Sequence, residues 1–520
     1  MGQYLRFFLI AGCLFSRANS LLLYPQSTDF IEGKVINSTT SKPVPFATIK
    51  LKNNQLGVYA NAEGDFKVAR NIEFQDDSLI ITCIGFKQSS LAYKALRENA
   101  VNKIFLTPVI YGLAEVKVTA SRRKPSSTAI IRRAIRKIQN NYPDKPFNFI
   151  AYYRDYQKKE KNYINLNEAI IQALDNGFSS EEALNKYRLL DFRKNMDFPR
   201  MNISPYYNLF GSADINNTDK IIPNAILGDQ YGNELFILMV HDAIRNFKTR
   251  SFSFVETFSD NFVFNHIFSD PVTVFNNNLL LYKISFTGRS FVTGDSLEVS
   301  GAIYIQPKDY SIHKLEYSCY YRIKGGELKQ MFNIDTEYGY ENSVDSRMCL
   351  KYISFNNLFK VIDTDDKSFL RVVNSYMDTT QNINPTVILN FNNKVDRVSA
   401  SKKENYKIMV ARKEIKISSI QVTGKNVYIR FKNEYLKGRE STCEITFHDI
   451  KDISGNIVNK RKSIELFQYR ELFVQEYNKP LTLKDSCYME YLPLEQNCVS
   501  KFTGKEKYWM NTPENIKINR

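Results

Sequence analysis

Apolar and polar residues alternate in short segments over most of this chain. Phe30 to Asn37 reads F-I-E-G-K-V-I-N, breaks at Ser41-Lys42-Pro43, and resumes as P-F-A-T-I-K-L. A turn at Asn61-Ala62-Glu63-Gly64-Asp65 precedes Phe66 and Val68. The apolar run Leu79 to Ile84 stops at Gly85-Phe86, and Leu113 to Val118 closes the unit. Segments of this kind, separated by Gly, Pro and Asn every ~8–12 residues, predict a small β-sandwich.

Beyond Ala120 the period changes. Ser126 and Ser127 offer a helix start, and Ile130, Ile131, Ala134, Ile135 and Ile138 recur at helical spacing up to Tyr142-Pro143. Arg132, Arg133, Arg136 and Lys137 fill much of the opposite side, as on a connector helix docked on its neighbour or a basic helix lying on a membrane. Phe149 to Tyr156 predicts a strand with Tyr152 and Tyr156 on one face. Asn165 to Leu174 fits a strand or a short helix, and Glu181 to Leu190 a helix. From Ser251 to about Asn390 the alternation predicts a long antiparallel meander, with Gly325-Gly326 as a hairpin turn. A last β-unit, from about Ile415 to Tyr469, carries alternating Val427, Ile429 and Phe431, then Cys443, Ile445 and Phe447.

With 520 residues, two to four domains are expected. The 36 Phe and 32 Tyr suit antiparallel sheets with one face in a core and the other in water. Residues 1–20 read as a secretion signal cleaved after Ser20, with a lipoprotein box at Ile10-Ala11-Gly12-Cys13 as the alternative. No later run is apolar enough for a spanning helix. The formal charge of +16 is spread over short clusters, among them Arg122-Arg123-Lys124, Lys158-Lys159-Lys161 and Lys460-Arg461-Lys462. With export, it points away from nucleic acid and towards solvated faces or an anionic surface. Cys83, Cys319, Cys349 and Cys443 sit in apolar runs and are expected as buried thiols. Cys487 and Cys498, in a polar Pro-containing segment, are either a disulfide or two separate thiols.

The motifs of the first unit, G-K-V, P-V-P-F-A-T-I, N-A-E-G-D-F, I-G-F and L-A-E-V-K-V-T-A, resemble the carboxypeptidase regulatory-like domain, which is similar in fold to transthyretin. That resemblance implies an accessory module and not a catalytic one. A-I-I-R-R-A-I-R-K-I-Q followed by N-Y-P-D-K-P-F and Y-Y-R-D resembles envelope proteins of the bacteroidete type that carry this domain. G-A-I-Y-I-Q-P-K-D-Y-S-I-H-K-L-E-Y weakly resembles the curved sheets of outer-membrane lipoprotein carriers, and Asp452-Ile453-Ser454-Gly455-Asn456 resembles a turn of bacterial immunoglobulin-like modules. TonB-dependent receptors often begin with the same domain, but no plug-like pattern follows here.

Chemistry is sparse. A zinc carboxypeptidase needs H-x-x-E and a distant His. His313 and Glu316 match that spacing, yet on a strand they point to opposite faces, and the expectation is a solvent-facing His beside a strand Glu. His241, His266 and His448 complete the histidines, and His241-Asp242 adjacency says nothing of a triad. Gly288-Arg289-Ser290-Phe291-Val292 lacks the last Gly of a nucleophile elbow. Asp363-Thr364-Asp365-Asp366 has Ser368 where a calcium loop needs Gly. No catalytic, cofactor or metal residue is therefore assigned, and no cofactor is expected.

The expected architecture is mainly β and multidomain. It comprises a signal peptide (1–20), a transthyretin-like β-sandwich (28–120), a short helical or mixed connector (121–200), a large antiparallel β-meander domain (201–398), a C-terminal Ig-like β-unit (399–478) and a tail (479–520). The expected function is that of an exported, non-enzymatic binding or scaffold protein, periplasmic or associated with the outer membrane. Its expected partner is an envelope protein, polysaccharide or outer-membrane component, with possible peripheral membrane contact and no nucleic acid. A lipid or lipoprotein carrier using the 251–390 sheet, and a hydrolase with an unrecognised site, are the alternatives.

Overall fold

The computed structural model describes residues 30–53, 57–61, 63–70, 74–98, 100–109, 125–159, 162–181, 185–201, 204–207, 233–249, 251, 255–276, 279–323, 326–362, 369–378, 385–410, 413–432, 443–460, 463–478, 487–490, 492–501, 508 and 510–513. The signal segment, Cys13, Leu113 to Val118, Arg122 to Lys124, Asp363 to Asp366 and Ser368 lie outside them, as does the Cys443 side chain. The chain forms two compact units, one ending at Pro108 and one beginning at Val109.

The first unit is a two-sheet sandwich. Its strands are β1 (Phe30–Asn37), β2 (Thr48–Leu51), β3 (Gly57–Tyr59), β4 (Asp65–Ala69), β5 (Ser78–Thr82), β6 (Ser89–Ala92) and β7 (Asn102–Leu106). They pair in the orders β4-β1-β7 and β3-β2-β5-β6. The alternation read from the sequence is met by burial, since Val35, Ile49, Leu51, Phe66, Val68, Leu79, Ile81, Ile104 and Leu106 all lie inside. The 61–65 turn is set by Asn61, whose Oδ1 accepts from the Glu63 and Asp65 amides at 3.0 and 2.8 Å while Gly64 takes φ +76°.

The second unit is built on one 12-stranded sheet. It uses β8 (Phe147–Lys159), β9 (Asn162–Asp175), β10 (Lys186–Lys194), β11 (Ser204–Tyr207), β12 (His266–Phe268), β13 (Val272–Asn276), β14 (Leu279–Gly288), β15 (Leu297–Ile305), β16 (Ile312–Arg322), β17 (Leu328–Glu341) and β18 (Arg347–Ile362). Before the last strand come β19 (Val372–Asp378), β20 (Thr386–Phe391), β21 (Tyr406–Val410), β22 (Lys413–Ile415), β23 (Ser419–Thr423), β24 (Asn426–Arg430) and β25 (Cys443–Phe447). Then β26 (Ser463–Asn478) returns to the sheet. The main path is β10-β9-β8-β26-β18-β17-β16-β15-β14-β12, with β11 paired to β18 and β13 to β14.

One face of this sheet packs against α1 (Ser127–Asn141), α2 (Glu234–Val240) and α3 (Phe262–Asn265). Helix α1 starts where the Ser126 side chain accepts from the Ala129 amide, and it buries Ile130, Ile131, Ala134, Ile135 and Ile138. The segment after α2 is anchored by Arg245, whose Nε and Nη2 donate to the two oxygens of Asp175 at 2.9 Å each.

Strands β19 to β25 form a separate sandwich, β19-β20-β24-β23 over β22-β21-β25, around Leu389, Phe391, Ile408, Val427, Ile429 and Phe431. Its Asp452 turn repeats the Asn61 device, since Asp452 Oδ1 accepts from the Ser454 and Asn456 amides at 2.9 and 2.8 Å.

The element order departs from the sequence reading in four places. Residues 121–200 are not a connector, because β8, β9 and β10 carry one end of the large sheet. The 186–190 stretch is strand, not helix; a register irregularity between Leu189 and Asp191 breaks the period-2 pattern and imitates helical spacing. The small sandwich takes in Val372 to Phe391, which the reading placed in the meander. It gives up β26, which pairs with β8 and β18 instead.

Gly301 on β15 has its place because any Cβ would overlap the Glu316 carbonyl and the Phe286 ring. Gly301→Ala is expected to lower stability to urea by about 1–3 kcal/mol. An unchanged unfolding midpoint would show that the Phe286 ring can move aside.

Candidate functional site

Register places one polar row across the face of the large sheet that does not carry α1 to α3. From β14 to β10 it runs Ser285, Ala302, Glu316, Asp335, Ser354, Glu471, Arg154, Glu168 and Arg193. Two residues along each strand runs a parallel row of Lys283, Tyr304, Lys314, Glu337, Tyr352, Phe473, Tyr152, Ile170 and Asp191. Because a strand sends alternate side chains to opposite faces, the core residues between these positions supply the other face.

The rows divide into a sealed half and an open half. In the sealed half Arg154 is fully buried, and its Nε donates to Glu471 Oε2 at 2.5 Å. Tyr152, Tyr156 and Phe473 surround its guanidinium, with ring centroids at 6.0, 5.5 and 5.4 Å. Glu168, also fully buried, accepts from the Tyr152 hydroxyl at 2.7 Å, Asn195 Nδ2 at 2.9 Å and Thr512 Oγ1 at 2.8 Å. The Asn511 carbonyl accepts from Arg154 Nη1, and the Tyr508 hydroxyl donates to Glu476. The chain end expected as a tail therefore forms the lid of this half. Just upstream, Cys487 and Cys498 are joined in a disulfide. Residues flanking these two cysteines run along the β10 edge, where the Met489 and Ser500 amides donate to the Tyr187 and Leu189 carbonyls.

The open half lies on β14 to β17. Lys314 Nζ pairs with Glu316 Oε1 at 2.8 Å, and the Tyr304 hydroxyl donates to Glu316 Oε2 at 3.0 Å. Lys283 lies 5.5 Å from the Tyr304 ring centre. Asp335 and Glu337 are half-buried, and neither has a hydrogen-bond or ion-pair partner among the described residues. Desolvation pushes Asp335 up to about 6, partly countered by Lys314 and reinforced by Glu316. Desolvation likewise pushes Glu337 up to about 7, against Lys314 and with Glu316 and Asp335. Two carboxyl groups that titrate near neutrality thus sit beside a paired carboxylate and two lysines.

The residues singled out from the sequence lie elsewhere. His313 and Glu316 do face opposite sides of β16, but His313 is buried beside Ser311 and Tyr340, not solvent-facing, and burial pushes it down to about 4. The core strand around it leaves no open side for water. His241 and His266 are buried too, donating through Nδ1 to the Ile237 and Phe262 carbonyls at 2.6 and 2.7 Å. His448 is exposed beside Asp449. Asp242 accepts from the Tyr338 hydroxyl at 2.5 Å and takes no part with His241. Cys319 and Cys349 are buried free thiols, whereas Cys83 is only half-buried, at the turn that ends β5. Asp335 and Glu337 were overlooked, although F-N-I-D-T-E-Y shows their alternation with Ile334 and Thr336.

Residues 31–118 match the model of the CarboxypepD_reg-like domain. The chain carries a carboxypeptidase regulatory-like domain. That match covers the strands of the first unit, runs ten residues past its end at Pro108 and stops before the large sheet. A comparison with curated proteins finds no match.

Two outcomes test this geometry. Glu471→Gln leaves Arg154 charged, buried and uncompensated, and is expected to cost about 3–5 kcal/mol in denaturant titrations; a loss below 1 kcal/mol would mean that Arg154 reaches water. Asp335 and Glu337 have folded-state values above their ordinary ones of 3.8 and 4.5. Their contribution to stability is thus complete below about pH 4 and lost as pH rises through about 6 to 7. The Tm of the native chain should fall over that interval, and an Asp335→Asn/Glu337→Gln variant should lack that part of the fall. An identical slope in both proteins counts against the desolvated placement.

Proposed function

We propose that this protein is an exported, non-enzymatic binding protein of the cell envelope, and that the open half of the polar face holds a polysaccharide. The observation that carries the reading is the pair Asp335 and Glu337, whose desolvated carboxyl groups have no hydrogen-bond or ion-pair partner among the described residues. An unpaired buried carboxyl costs stability, and a ligand rich in hydroxyl donors offsets that cost at the moment of binding. Lys283 and Lys314 add donors, and Tyr304 adds an aromatic flank. Side chains from α1, α2 and α3 fill the opposite, apolar face, which favours a polar ligand over an acyl chain held by the sheet. The regulatory-like domain fits an accessory, non-catalytic setting, and the residues after it resemble bacteroidete-type envelope proteins.

Binding of purified envelope polysaccharides to the full chain, measured by calorimetry, tests the proposal. Asp335→Asn/Glu337→Gln is expected to weaken binding at least 10-fold with folding intact. Undiminished binding by that variant, or capture of a protein and no glycan, would defeat it.

A second reading, hydrolysis, is favoured by one observation: carboxyl groups poised at about 6 and about 7 suit general acid–base work. Release of reducing ends from a bound polysaccharide, abolished in the same double variant, would replace the binding role with an enzymatic one.

A further inference from the structure

A second surface, independent of the polar rows, lies on the helical side of the sheet. The buried stripe of α1 is already used against the core, so its outward face presents Arg132, Arg133, Arg136 and Lys137 to solvent. The helix contains no acidic residue, and no carboxylate among the described residues forms an ion pair with these four cations. Arg133 is steadied by Tyr310, whose hydroxyl accepts from Nη1 at 3.0 Å.

Next to α1 stands α3, and Ser127 Oγ at the start of α1 donates to the Ser269 carbonyl just beyond β12 at 2.6 Å. On α3, Phe264 is 64% exposed. It lies tilted against Phe291 of the short helix α4 (Ser290–Thr293), itself 62% exposed, with ring centroids 5.1 Å apart and ring planes at 52°. Two large aromatic rings held against each other in water leave apolar area uncovered that either could bury elsewhere. Asp260 and Asp270 border α3 and β12, and Arg289 directly precedes α4.

We propose that the α1 basic face and the Phe264–Phe291 pair form a docking surface for an anionic lipid bilayer. The cations meet headgroup phosphates, and the two rings enter the interfacial layer. Charge alone would suit any polyanion; exposed paired aromatics beside it suit a surface with an apolar interior. A protein partner with an acidic patch would leave the rings without a matching environment.

The test is sedimentation of the full chain with vesicles of pure phosphatidylcholine or of phosphatidylcholine with phosphatidylglycerol. Binding is expected only to the anionic vesicles and to weaken with salt. Arg132→Glu/Arg136→Glu should reduce it by roughly 30-fold or more. Phe264→Ser/Phe291→Ser should reduce vesicle binding while leaving retention on a soluble polyanion unchanged. All four side chains are exposed, and a far-ultraviolet spectrum checks that each variant folds. Equal binding to both vesicle types, no binding to either, or Phe variants that bind vesicles as well as the parent would each overturn the proposal. Because neither surface shares a residue with the other, failure here leaves the polysaccharide reading standing, and the reverse.

Discussion

The large sheet depends on the insertion of β26 between β8 and β18, with backbone hydrogen bonds on both sides. Its partner β8 lies some three hundred residues earlier in the chain, and the second sandwich intervenes between β18 and β26. Until β26 arrives, two half-sheets would each expose a long unpaired edge, which is a liability for any β protein. The pair Arg154–Glu471 is the side-chain counterpart of this closure, a buried ion pair joining β8 to β26. Such a pair gains from its geometry only when water is excluded, and Tyr508, Asn511 and Thr512 help supply that exclusion. Loop closure over this separation is entropically costly and makes the second unit a cooperative fold of high contact order.

Once the sheet is closed, its two faces have different tasks. One is filled by aliphatic and aromatic side chains beneath the helices, where His241, His266, Tyr142 and Tyr338 find hydrogen-bond partners close by. The other is mostly polar, sealed over β8 to β10 and β26 and open over β14 to β17. In the sealed half Arg154 pairs with Glu471, and Glu168 accepts three hydrogen bonds. In the open half, desolvation holds Asp335 and Glu337 above the usual carboxylate range, and Lys314 offsets only part of it. Local departures from satisfied polar chemistry of this kind concentrate where a protein meets a ligand.

Much of the fold was legible in the chain, in proportion to how local its causes are. The first sandwich could be read from alternation and from Asn61 and Gly64, because a turn and a strand are decided within a few residues. Helix α1 followed from its isoleucine spacing and its Ser126 cap. The 186–190 stretch was misread because an irregularity between Leu189 and Asp191 puts Tyr187 and Leu190 at helical spacing on a strand. The site was harder. Each of Glu316, Asp335 and Glu337 looks like an ordinary polar position on an alternating strand, and only the register of β14 to β17 brings them together.

The amino-acid sequence by itself determined the β character, the position and extent of the regulatory-like domain, the amphipathic helix with its basic face and the cysteine pair in a polar segment. These rest on period, turn chemistry and composition, which act over short distances. Tertiary structure alone decided that β26 belongs to the large sheet, that the C-terminal residues cover Arg154, and that two carboxyls stand desolvated beside Lys314. Alternation specifies that a segment is a strand but not which strand it pairs with. That choice rests on packing summed over the whole sheet, and on it depend the side chains that come to share a face.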